Sequence, residues 1–158
     1  MKAARAAGQE PNLLQVDFYQ LTGDPDAVLA RIAERVTDGG GRLLVVAADE
    51  EDRARIDAAL WRMSSPSFLA HGAAGADDAT EQPILLAAGV APENGARNVA
   101  LADGVWRDEA LSFDRCFHLF DEAATAAARD AWRALGSRES VERRFWKQDE
   151  AGRWTQAA

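Results

Sequence analysis

The sequence predicts an α/β domain built on a mainly parallel sheet with helices on both faces. Three observations carry this. Short apolar runs alternate with segments of helical spacing, the pattern of strand–helix–strand units. Leu43-Leu44-Val45-Val46-Ala47-Ala48 is continuously apolar, the mark of a strand buried on both faces. The breaks between segments are rich in glycine, proline and aspartate.

Residues 1–13 read as a loose leader ahead of one domain over 14–154. Leu14-Gln15-Val16-Asp17-Phe18-Tyr19-Gln20 alternates apolar and polar and predicts a strand. Asp24-Pro25-Asp26 starts a helix, with proline where a missing N–H costs nothing. Val28, Leu29, Ile32, Ala33 and Val36 continue it at helical spacing, and Gly39-Gly40-Gly41 stops it. After the 43–48 strand a second helix runs from about Glu50 to Trp61, with Ile56, Ala59 and Leu60 inward. Ser64 to Gly72 reads as a loop with a hydrophobic plug, and Ala73 to Gln82 as a mobile Gly- and Asp-rich stretch. Pro83–Ala87, Asn98–Leu101 and Phe117–Phe120 read as strands. Asp121 caps an alanine-rich helix over Glu122–Leu135 that Gly136 ends. Phe145 to Trp154 reads as a hairpin or extended flap turning at Ala151-Gly152.

Composition narrows the function. The 158 residues, 47% hydrophobic, suffice for one domain with a real core. The net charge of −8 opposes a nucleic-acid-binding role for the body, which would show a dominant basic field. No intrachain disulfide can form, and the single cysteine, Cys116, reads as a buried thiol. The first ten residues lack the apolar stretch of a secretory signal and no segment reaches membrane-spanning length, so a cytoplasmic protein is expected.

A nucleotide-binding site would show a glycine-rich loop after a strand. Gly39-Gly40-Gly41 instead precedes one, and no Gly-Lys-Ser/Thr occurs. Asp49-Glu50-Glu51-Asp52, at the end of a strand, suits a helix N-terminus better than a metal or ATPase site. His71 and His118 stand far apart without a ligand partner at metal spacing, His71 in the expected loop and His118 among apolar strand residues. Ser64, Ser65 and Ser67 lack a nucleophile-elbow frame. No cofactor is expected. A degenerate nucleotide-binding or hydrolytic α/β enzyme stands as the alternative to a binding protein.

What remains is surfaces. From Arg129 to Arg153 seven basic residues face five acidic ones, leaving 11 basic against 21 acidic residues elsewhere. Trp132, Trp146 and Trp154 fall at this same end. Arginine beside an aromatic ring suits an acidic, apolar peptide. On the late helix Ala124, Ala128, Ala131 and Leu135 share the core face, while Arg129, Trp132 and Arg133 share another. Trp132 is read equally well as an exposed anchor or as a ring sealing the core. Trp61, with Phe68 and Leu69, forms a second candidate surface, for which core packing is the competing reading.

These residues together resemble the chi subunit of bacterial DNA polymerase III holoenzyme over roughly residues 15–154. The resemblance rests on Val16-Asp17-Phe18-Tyr19, Asp57-Ala58-Ala59-Leu60-Trp61, Ser67-Phe68-Leu69-Ala70-His71 and Phe117-His118-Leu119-Phe120-Asp121. It continues through Ala128-Arg129-Asp130-Ala131-Trp132-Arg133 and Phe145-Trp146-Lys147-Gln148. It implies a single Rossmann-like domain without a functional nucleotide site, and a non-catalytic accessory subunit of the polymerase associated with its clamp loader. It implies two partner surfaces. Arg129, Trp132 and Arg133 match the basic–x–x–aromatic–basic pattern for the C-terminal tail of single-stranded DNA-binding protein, with Trp where Tyr is common. Thr125 stands one turn earlier, where a lysine can occur in the family. Trp61 and Phe68 match aromatic positions facing the psi subunit, for which an XPD-like helicase is a substitute. DNA would be met only indirectly, and no membrane is involved.

Overall fold

The computed structural model describes residues 13–63 and 69–158. Nearly all of the expected leader, and residues 64–68 with Phe68, lie outside the described residues. Eight strands and three α-helices follow one another as β1 (Leu14–Gln20), α1 (Pro25–Asp38), β2 (Leu43–Val46), α2 (Glu50–Met63), β3 (His71–Ala73), β4 (Ile84–Ala87), β5 (Asn98–Leu101), β6 (Arg115–Phe120), α3 (Thr125–Leu135), β7 (Val141–Gln148) and β8 (Trp154–Gln156). They form one sheet in the order β3-β4-β2-β5-β6-β1-β7-β8. Every neighbouring pair is parallel except β7–β8. The expected α/β class with a mainly parallel sheet is therefore observed.

Local chemistry sets the element ends. Asp24 caps α1 by accepting the Asp26 amide at 3.0 Å, with Pro25 following. The Gly41 amide returns to Val36 O at 2.9 Å and the Gly40 amide to Thr37 O at 3.0 Å, with Gly40 at φ 81°. This is the double bond of a Schellman stop, which requires the left-handed residue that glycine supplies. Asp49 accepts the Glu51 amide at 2.9 Å at the start of α2, the helix-terminal role expected for that acidic run.

The two sheet faces carry separate cores. Helices α1 and α2 cover one face, with Leu29, Ile32, Ala33, Ile56 and Leu60 against Leu43, Val45, Ile84, Phe117 and Leu119. Helix α3 covers the other with Ala128, Ala131 and Leu135, against Val16, Phe18, Val99, Cys116, Phe120 and Phe145. Cys116 is fully buried, and that burial pushes its thiol pKa far up. Among the described residues no helix is long and apolar enough to cross a membrane.

Three local expectations need correction. His71 and Gly72 are not loop residues: they begin the edge strand β3, pairing with Ile84 and Leu85 of β4. His71 also has an acidic neighbour, Asp57, which its spacing concealed. The first turn of the late helix is 3-10, over Glu122–Ala124, and α geometry starts at Thr125. The closing hairpin begins four residues earlier than Phe145, because Val141–Lys147 pair in register with Leu14–Gln20 of β1.

Two buried polar groups mark the centre. Asp17 of β1 is 1% exposed. It accepts from Gln15 Nε2 at 3.0 Å, Arg115 Nη2 of β6 at 3.1 Å and Trp146 Nε1 of β7 at 3.0 Å. Arg144 Nε stands 3.4 Å away, an ion pair without a hydrogen bond. His118 of β6 is fully buried, with neither ring nitrogen hydrogen-bonded among the described residues. Phe18, Trp106 and Phe120 enclose it at centroid distances of 5.3, 5.5 and 5.5 Å.

Burial of His118 disfavours its charged form and lowers its pKa to about 4. A base with a depressed folded pKa contributes stability above the unfolded value of about 6.5, and loses it as pH falls toward 4. At pH 5 this loss amounts to about 2 kcal/mol. Urea denaturation of wild type and His118→Phe at pH 7 and pH 5 measures it. The variant gains about that much relative to wild type on acidification, and an unchanged difference would exclude this origin of acid sensitivity.

Candidate functional site

Helix α3 meets the sheet through Ala128, Ala131 and Leu135, and its arginines lie outward. Arg129 is exposed and has no hydrogen-bond or ion-pair partner among the described residues. Arg133 is also exposed and pairs with Asp130 across one turn, both side chains about 70% open to solvent. Such a pair is worth little and yields readily to another carboxylate.

Trp132 lies between the two readings of its sequence. It is half-buried and packs on the core under α3. Its ring meets Phe18 and Phe145 edge-to-face at 5.4 and 5.6 Å. The Arg143 guanidinium of β7 lies 4.1 Å over the Trp132 ring and donates to the Trp132 carbonyl. Gly136 makes room for this: a Cβ there would stand 2.9 Å from Arg143 Nη2. Arg143 is the residue that sequence reading missed. The signal was present, because strand alternation from Phe145 places Arg143 on the α3 face. Arg143 covers the part-open indole, and Arg129 and Arg133 lie exposed on the same helix, three residues before it and one after.

The second candidate surface is centred on Trp61 near the end of α2. It is 48% exposed, since Ile56, Ala59 and Leu60 fill the buried stripe. Its ring leans on His71 with centroids 4.2 Å apart. The buried His71 ring is held by the Leu69 carbonyl at 2.8 Å and Asp57 Oδ1 at 2.9 Å. The expected pairing of Trp61 with Phe68 falls outside the described residues. Trp61 stands on the α2 face of the sheet and Trp132 on the α3 face, so the two surfaces are separate.

A third feature occupies the carboxyl ends of the strands. Adjacent β1 and β6 send their helices to opposite faces, which opens a crevice where nucleotide-binding α/β proteins hold their ligand. It encloses about 650 Å³ and is lined by Asp52, Arg55, Asp103, Asp121 and Glu122 among others. Arg55 is taken by Asp26 and Asp52, at 3.3 and 3.0 Å. Burial acts to raise the Asp103 pKa, but hydrogen bonds from Arg107 and the Ala48 and Val105 amides outweigh it and hold the carboxyl below its usual range. The rim is thus mainly acidic, and its arginine is engaged by carboxylates.

The chain is thus a mainly parallel α/β domain with a part-open aromatic–arginine surface beside α3. The sequence profile of the DNA polymerase III chi subunit, HolC, family matches residues 13–141, most of the chain, and the chain belongs to that family. It is 34% identical over 86 residues to a Pseudomonas aeruginosa protein described as DNA polymerase III subunit chi. That stretch covers 52% of this chain and 59% of the relative.

The packing separates the two tryptophans. Trp132→Ala empties a site between two core rings and costs roughly 2–4 kcal/mol, whereas Trp61→Ala costs less than about 1.5 kcal/mol. Arg129→Ala stays within about 0.5 kcal/mol of wild type. Chemical denaturation of the three variants tests the ranking, and a Trp61→Ala protein as damaged as Trp132→Ala would place Trp61 in the core.

Proposed function

We propose that this chain is a non-catalytic accessory subunit of DNA polymerase III that tethers single-stranded DNA-binding protein to the replication machinery. The C-terminal tail of that protein docks on Arg129, Trp132 and Arg133, with Arg143 holding the indole in place. The observation that carries this reading is an exposed Arg129, without a partner among the described residues, one helical turn from a half-open Trp132, at positions that match the family pattern. An acidic tail ending in an apolar residue meets cations for its carboxylates and a ring for its hydrophobe. Such a contact can be weak and still effective, because many tail copies near one strand raise the local concentration.

In this reading residues 14–154 form one Rossmann-like domain without a working nucleotide site, and the protein acts in the cytoplasm. The acidic crevice supports the second point, since it gives a phosphate no free cation. The Trp61 surface then joins the polymerase assembly through the psi subunit at the clamp loader, with an XPD-like helicase as the substitute partner. DNA is met through the binding protein alone, in keeping with the net charge of −8. The degenerate-enzyme alternative gains no support from the same crevice.

Titration with a peptide of acidic residues ending in Phe and a free carboxylate tests the site. Arg129→Ala weakens binding by roughly 1.5–3 kcal/mol, the range for a hydrogen bond to a charged group. Removing the terminal Phe abolishes most of the affinity. Binding falls as salt rises, because screening shortens to about 8 Å at physiological ionic strength. Equal isotherms for wild type, Arg129→Ala and Arg133→Ala would move the tail elsewhere.

A further inference from the structure

The opposite sheet face holds a second basic, aromatic feature that none of the above uses. Between the last turns of α1 and strands β6 and β1 lies a cleft of about 270 Å³. Its aromatic residues are Tyr19 and Phe117, its aliphatic ones Ile32 and Val36, and its charged ones Arg35 and Arg115. No acidic side chain lines it among the described residues. That departs from a chain with 26 acidic against 18 basic residues, and from the acidic crevice at the other end of the strands.

The donors here are available. Arg35 is exposed and has no hydrogen-bond or ion-pair partner among the described residues. Arg115 uses Nε and Nη2 on Asp17 and leaves its other N–H groups free, with 42% of the side chain open. The Tyr19 hydroxyl has no hydrogen bond among the described residues. Burial, then Asp17, raises its pKa, so it remains a neutral donor. Three donors therefore border an apolar slot sized for one side chain.

We propose that this cleft is a docking site for an acidic peptide segment of a partner protein, with an apolar side chain against Ile32 and Val36 and a neighbouring carboxylate on Arg35 and Arg115. Charge complementarity selects an anion, and the apolar wall selects one joined to a hydrophobe. The rings argue against single-stranded nucleic acid, which needs open faces for its bases. Arg115 Cζ already covers Phe117 at 4.6 Å. Tyr19 stands between Phe117 and Trp146, each nearly parallel to it at 6.4 Å, and Trp154 meets it edge-to-face at 5.2 Å. The site is independent of the α3 surface and lies on the other side of the sheet, so both can be filled together.

The test is amide NMR of the full chain titrated with the peptide acetyl-Asp-Asp-Leu-Asp-Asp-amide. Both its ends are blocked, so it lacks the terminal carboxylate that the α3 surface is proposed to read. Saturable shifts are expected at Tyr19, residues 36–41 and residues 117–119. Arg35→Glu weakens binding at least about tenfold with an unchanged melt, and Arg35→Met does so by about half as much on a logarithmic scale. Arg129→Ala binds as wild type, and replacing the peptide leucine by glycine weakens the complex severalfold. Shifts confined to α3, no shift at millimolar peptide, or insensitivity to Arg35→Glu would each overturn the proposal. So would an octathymidylate that moves the same amides with the same dependence on Arg35.

Discussion

Asp17 is a carboxylate at the middle of a parallel strand with almost no access to water. A buried charge survives folding only where donors converge on it, and removing one partner of such a set typically costs several kcal/mol. Here the partners come from both neighbours of β1: Arg115 of β6 donates on one side, and on the other Trp146 of β7 donates while Arg144 adds its charge without a hydrogen bond. A strand shifted by one residue would turn Asp17 into the Phe18 core and strand these donors. The Asp17 carboxylate thus ties together the register of three strands, alongside the buried Val16 and Phe18 of the other face. Both proposed peptide surfaces follow from it, since β1 and β7 seat Trp132 on one face and β1 and β6 seat Tyr19, Phe117 and Arg115 on the other.

The two faces solve different problems with the same strands. On the α3 face small side chains bring the helix close, and the space left at its rim is filled by Trp132 with Arg143 laid over it. On the α1 face the helices cover the left and centre of the sheet, and the right side is closed by rings from β1, β7 and β8 instead. Aromatic closure leaves polar tips near water, which is why arginines and the Tyr19 phenol gather there. The crevice between these faces, at the carboxyl ends of the strands, is rimmed mainly by carboxylates.

Most elements were legible because their signals are local: Asp24-Pro25 and the glycine triplet bound α1, and the 43–46 strand is apolar throughout. The inward stripe of α2 was full before Trp61, and that residue is indeed half open. Trp132 was undecidable from spacing, because what fixes it comes from β7 and from Phe18 of β1. The late helix alone cannot report either. Asp17 read as an ordinary polar alternate, since nothing in β1 tells that its second face is closed by β7. His71 read as a loop residue because β3 has only three residues, and its strand character depends on β4.

The placement of β1 has a consequence for how the chain is made. Its neighbours in the sheet are the last long strands, and Asp17 meets Arg115 and Trp146 across 98 and 129 residues of sequence. At a synthesis rate of roughly 5–20 residues per second, the first strand emerges some 5–20 s before its nearer mate exists. During that interval Val16, Phe18 and Tyr19 have no sheet to enter, and the pairs β2–β4 and β2–β5 can assemble without them. Until β6 and β7 have been made, the aromatic first strand has neither of its sheet neighbours. The surface around Trp132 and the cleft beside Tyr19 come into being together, only when that strand is finally enclosed.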